Sequence, residues 1–234
     1  MSMNRLMKEF RFGFKELFFL SITSFSFGLI HTLRFFTGTI NYNDFFLVLL
    51  RMFIISFLVL ILHFTFEKVY AVLRGIKSEY KYNLYALIPG LYVGLLFFNQ
   101  IYFLSPGYLN LEVLKNKRVG KFRYRTQFVE FSTMAIVGIV GTLVLASIIN
   151  LFAGNSFYLN EFIVISLFVS VLSLIPIPLN DGFYIFTGSW YHYAFIISFV
   201  LSFILFFYLL NPLYLLIFSF VIGIIGFLYF FYNY

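Results

Sequence analysis

The stretch FFLVLLRMFIISFLVLILHFTF, residues 45–66, runs for 22 positions with Arg51 and His63 as its only ionisable side chains. A helix rises about 1.5 Å per residue, so about 20 such residues match a hydrocarbon layer about 30 Å thick. The segment therefore reads as a membrane-spanning helix. Residues 17–33, 128–152, 162–179, 191–210 and 213–231 are similarly apolar, which predicts six spans. Asn211-Pro212 divides the last two, because proline lacks an N–H and biases its predecessor away from helix. The two should form a tight hairpin.

Composition agrees. Of 234 residues, 62% are hydrophobic and 11% charged, against about 25% charged in soluble domains. A water-soluble fold could not hide that much apolar surface. No polar linker divides the chain, so residues 1–234 read as a single integral membrane domain of all-α class. Arg5, Lys8, Arg11 and Lys15 precede the first apolar run as in a secretory leader, but no small-x-small cleavage site follows, so an uncleaved first span is expected. Cysteine is absent, which excludes disulfides and thiolate ligands.

Residues 84–104 are apolar but contain Pro89-Gly90 and Asn99-Gln100, which should break a helix. Charge placement bears on their path. Fourteen of the 16 basic residues fall in 5–15, 68–81 and 115–125, while 37–44 and 153–160 hold none. Lysine and arginine concentrate on the cytoplasmic side. Placing all three basic segments there requires 84–104 to enter and leave by one face, as a re-entrant or hairpin segment. Irregular backbone at that depth is tolerated only under protein or beside a watery cavity. The net charge of +7 suits anionic lipid headgroups, and membrane lipids, not nucleic acid, are the expected neighbours of Lys115–Arg125.

Ionisable residues within spans are costly and usually face a protein interior. His63 and Glu67, four residues apart, share one helix face. Asp181 follows the helix-breaking run 174–180, and the predicted topology brings it to the same half of the bilayer. One histidine and two carboxylates are metal ligands if they converge, zinc among the candidates. The plainer alternative is that Glu67 ends a helix beside Lys68 at the headgroups. His31, Arg34, Glu161 and His192 lie at span ends, where snorkelling is expected. Arg51 and Glu130 lie deeper and are candidates for a cross-helix pair.

These residues resemble the site-2 protease family of intramembrane zinc metalloproteases. Its H-E-x-x-H motif corresponds to His63-Phe64-Thr65-Phe66-Glu67, followed by Ala71 and Gly75. Its later N-P-I-P-P-L-D-G motif corresponds to 175–182, which keeps Pro176, Ile177, Pro178, Asp181 and Gly182. Ser105-Pro106-Gly107-Tyr108 and Gly120-Lys121 look like its connecting region, so the likeness covers about residues 45–190, with 191–234 as a C-terminal hairpin. The resemblance implies zinc ligation by His63 and Asp181, with Glu67 in place of the second histidine. It also implies a groove for transmembrane partners near Pro176, Pro178, Asn180 and Gly182. Phe64, however, replaces the glutamate that takes a proton from water, so no catalytic residue is expected. The expectation is an inactive relative that binds membrane segments uncut, with zinc or with no cofactor. A divergent metalloprotease is one alternative. The other is a transporter or channel component whose polar path includes Arg51, His63, Glu67 and Glu130.

Overall fold

The computed structural model describes residues 10–35, 42–97, 103–113, 128–154 and 156–233. The chain is an all-α polytopic membrane protein. Its long helices are α1 (Phe14–Leu33), α2 (Tyr42–Leu73), α4 (Phe128–Ala153), α5 (Phe157–Leu174), α7 (Trp190–Phe206) and α8 (Pro212–Asn233), with shorter α3 (Leu84–Leu96) and α6 (Asp181–Gly188). Five are long and apolar enough to cross a membrane. The expected crossing at 191–210 is α7, whose 17 residues span about 26 Å. α8 leaves Leu213, Ile217, Ile225 and Leu228 more than half exposed, a surface that only lipid would cover favourably.

Inside the bundle, hydroxyls bond backward along their own helices, as in Ser24 to the Leu20 carbonyl and Ser170 to the Ser166 carbonyl. That satisfies polar atoms where no water reaches. Small residues bring helices together. A Cβ at Gly28 would sit 2.8 Å from the Phe53 nitrogen, so α1 and α2 meet backbone to backbone.

Three expectations are corrected. The second span does not end at Phe66; its helix runs to Leu73 because Ala71 and Val72 continue the buried face. The helix expected over 162–179 stops at Leu174, since Pro176 and Pro178 remove N–H donors just beyond it. The third concerns Pro89-Gly90, which does not break α3. One proline six residues into a helix removes a single bond, to the Tyr85 carbonyl. Asn99-Gln100 lies outside the described residues.

A two-stranded ribbon brackets α3. β1 (Ile76–Lys81) pairs antiparallel with β2 (Tyr108–Val113), from Ile76 opposite Val113 to Lys81 opposite Tyr108. Ile76, Ser78 and Tyr80 point inward with the two-residue period of a strand. The Tyr80 hydroxyl donates to the Pro106 carbonyl at 2.8 Å and meets Thr23 Oγ1 at 2.8 Å. Burial pushes the Tyr80 phenol pKa up, which keeps that donor protonated.

α3 therefore leaves the ribbon as a helix about 20 Å long, too short to cross, and residues 103–107 lead back into β2. A Cβ at Gly90 would overlap the Phe103 carbonyl, so the returning chain lies directly on α3. The pairing of β1 with β2 brings the two ends of this segment together, as the re-entrant expectation requires. Cysteines replacing Lys77 and Glu112, which face each other in the register, should both react with an impermeant maleimide from the same side. Labelling from opposite sides would mean that the intervening segment spans.

Lys68 is buried in protein, not open to the headgroups. Its ammonium is 1% exposed, 2.5 Å from Glu16 Oε1 and 4.1 Å above the Phe12 ring. The same Glu16 carboxylate accepts from the Tyr80 and Gly13 amides. One ion pair thus ties α1, α2 and β1 at the end of the bundle where the ribbon lies.

Candidate metal centre

α2 packs antiparallel on α4, as Tyr70 with Thr133 and His63 with Thr142 show. Glycine makes room at the crossing: a Cβ at Gly138 would lie 2.5 Å from Glu67 Oε1. His63 and Glu67 point into this seam, one helical turn apart, and both are fully buried.

Asp181 arrives from elsewhere in the chain. After α5 ends, Ile177 and Asn180 close tight backbone turns, and Leu179 takes a positive φ of 69°. Asn180 Nδ2 donates to the Leu172 carbonyl, while its Oδ1 accepts from Ser105. Asn83 Nδ2 donates to the Pro178 carbonyl. The loop is thus fastened to α5, to the returning chain and to the ribbon end. Gly182 is obligatory beside it, because a Cβ there would overlap the Leu174 carbonyl. Asp181 then starts α6 with its carboxylate inside.

The three residues converge. His63 Nε2 is 3.2 Å from Asp181 Oδ2 and 3.3 Å from Glu67 Oε1. Two donors about 2.0–2.2 Å from one tetrahedral ion stand about 3.3–3.6 Å apart, so the spacing suits ligands of a common cation. Among the described residues this is the one such group of three.

The hydrogen bonds point the same way. Thr142 donates its hydroxyl proton to the Gly138 carbonyl at 2.8 Å, which leaves its oxygen to accept from His63 Nδ1 at 2.9 Å. That pairing puts a proton on Nδ1 and leaves Nε2 to face the carboxylates, where it donates to Asp181 Oδ2 when protonated and offers its lone pair to a cation when not. Among the described residues, both oxygens of Glu67 are buried with no hydrogen-bond donor, and no lysine or arginine pairs with either carboxylate. A divalent cation would satisfy the orphaned oxygens and cancel both charges.

Phe64 is fully buried, its ring 5.0 Å from the His63 ring and 4.6 Å from Tyr80. It supplies packing and accepts no proton. The chain matches no family model, no curated protein and no solved structure. The site therefore has to be read from its own geometry.

The other residues singled out earlier fall differently. Asn180 and Gly182 are buried fasteners, whereas Pro176 and Pro178 are exposed, so the four do not line one surface. Arg51 lies over the Tyr158 ring at the start of α5, at the opposite end of α2 from Glu130, and the two do not pair. Of the four residues weighed as a polar path, the structure joins only His63 and Glu67. Arg34 is exposed at a helix end as expected, but His31 and Glu161 are buried and do not snorkel. His192 meets Ser132 at 3.1 Å. Thr142 escaped the sequence reading; its i, i+4 spacing from Gly138 was the available signal for a small, polar helix face.

Proposed function

We propose that this chain is a non-proteolytic relative of site-2 proteases that holds a divalent cation at His63, Glu67 and Asp181 and binds membrane segments without cutting them. The observation that carries it is the fully buried Glu67 carboxylate, which has no hydrogen-bond donor and lies 3.3 Å from His63 Nε2 with Asp181 beside it. One nitrogen and two oxygens suit zinc. Bound there, zinc supplies charge balance and Lewis acidity. Hydrolysis also needs a carboxylate apart from the metal's own ligands, and Phe64 stands where the family carries it.

The ordering of the Pro-rich loop and the hairpin supports a binding role, since both are kept by many hydrogen bonds although the base is gone. In this reading the segments 5–15, 68–81 and 115–125 face the cytoplasm of a prokaryotic cell, with the N-terminus inside.

Metal analysis of the purified chain, loaded with zinc and dialysed, tests the centre. One equivalent is expected, with loss in both His63→Ala and Asp181→Ala. Absence of metal from the unaltered protein would refute the reading. Inactivity has its own test on a panel of membrane substrates, where zinc-dependent cleavage abolished by His63→Ala would make the chain a divergent protease instead.

A further inference from the structure

The seam between α2 and α4 matches two helical turns to each other. On α2 His63 and Glu67 stand four residues apart, and on α4 Gly138 and Thr142 do the same. Because the helices run antiparallel, Gly138 faces Glu67 while Thr142 faces His63. A Cβ at Gly138 would lie 2.5 Å from Glu67 Cγ, so that end of the turn admits the carboxylate by having no side chain. The other end has a side chain of a particular kind. We infer that Thr142 is the positioning residue of the metal centre. Without touching the cation, it fixes which nitrogen of His63 the cation meets, and so favours ions that prefer nitrogen. The inference rests on the metal reading above and names what in this chain tunes it.

Three properties of Thr142 carry this role. It is 2% exposed, so no water competes for its oxygen. Its hydroxyl proton goes to the Gly138 carbonyl at 2.8 Å, which leaves the oxygen as an acceptor 2.9 Å from His63 Nδ1. Branching at Cβ leaves few rotamers, and the backward bond selects among them, so the acceptor stays in place. Thr32 shows the ordinary use of such a residue. It is fully buried and makes the same backward bond, to the Gly28 carbonyl at 2.7 Å, but on α1, which supplies no ligand.

An imidazole that loses its Nδ1 acceptor in a dry interior keeps an unpaired N–H or turns to find another partner. In either case Nε2 is no longer held toward Asp181 and Glu67, from which it stands 3.2 and 3.3 Å. Imidazole nitrogen contributes more to binding zinc than to binding manganese, which is suited by oxygen donors. Thr142 therefore acts on selectivity as well as affinity, since the two carboxylates by themselves accept either ion.

The full chain, purified in detergent and stripped with chelator, is to be titrated with zinc and with manganese. Thr142→Val keeps the shape and removes the hydroxyl. It should weaken zinc about tenfold, the low end for losing the partner behind a metal-bound histidine, and lower the ratio of zinc to manganese affinity. Thr142→Ser should restore both. Thr32→Val makes the same change at a buried threonine far from the ligands in sequence and should leave zinc affinity as it was. A second measurement needs no variant to fold. Nitrogen NMR of the histidine rings in the unaltered, zinc-loaded protein should find the His63 proton on Nδ1 and the metal on Nε2. A proton on Nε2, zinc affinity unchanged in Thr142→Val, an unchanged ratio, or equal losses in Thr142→Val and Thr32→Val would overturn this inference and leave the metal reading standing. Failure of the unaltered chain to hold zinc would refute both.

Discussion

Glu67→Gln is expected to make the zinc-free protein more stable and to abolish the stabilisation that zinc brings. The ligand atoms of His63, Glu67 and Asp181 all lie within 4.8 Å of one another. A second carboxylate buried this close to Asp181, with no hydrogen-bond donor to either of its oxygens, is costly to keep without a cation. Glutamine keeps the shape and removes one charge, but its new N–H group needs an acceptor, so a net gain of about 1–2 kcal/mol is expected. Zinc at a hundredfold excess over its dissociation constant should stabilise the unaltered protein by about 2.7 kcal/mol. That increment should vanish in the variant. Thermal unfolding in detergent, with chelator and then with zinc, reads both effects. A variant less stable than its parent in chelator, yet equally stabilised by zinc, would show that Glu67 is not a ligand.

The other large effect is steric. Gly182→Ala should cost about 3 kcal/mol or more, at the upper end for overpacking. The added methyl would overlap the Leu174 carbonyl and stand 2.8 Å from the Ile175 carbonyl oxygen. Both are backbone atoms, so no rotamer change makes room. The end of α5 and the start of α6 would have to separate, which moves Asp181, the preceding residue, away from His63. Zinc binding should therefore fall together with stability. Gly154→Ala provides the comparison. Gly154 has a φ of 47° with no atom within 4 Å of an added Cβ, so only the left-handed backbone penalises it, by about 1–2 kcal/mol. Equal losses for the two variants would mean that the close approach at Gly182 is absent.

Much of this site was legible along the chain because its parts are local. His63 and Glu67 share a face by helical periodicity, and Pro176 and Pro178 mark the turn before Asp181 whatever surrounds them. The plainer alternative for Glu67, a helix end beside an interfacial lysine, failed for a nonlocal reason. Lys68 is held by Glu16, 52 residues earlier, and no local pattern in either segment announces that pair.

The sequence by itself determined that the protein lives in a membrane and which segments form its long apolar helices, although not where each of them ends. Hydropathy and charge bias act on each segment separately, so a single chain displays them. Tertiary structure alone decided that His63 and Asp181, 118 residues apart, meet at 3.2 Å, that Thr142 meets His63 Nδ1, and that Ile76–Lys81 is a strand. Six residues of mixed polarity acquire strand structure only through pairing with β2. A carboxylate becomes a ligand only through what packs beside it.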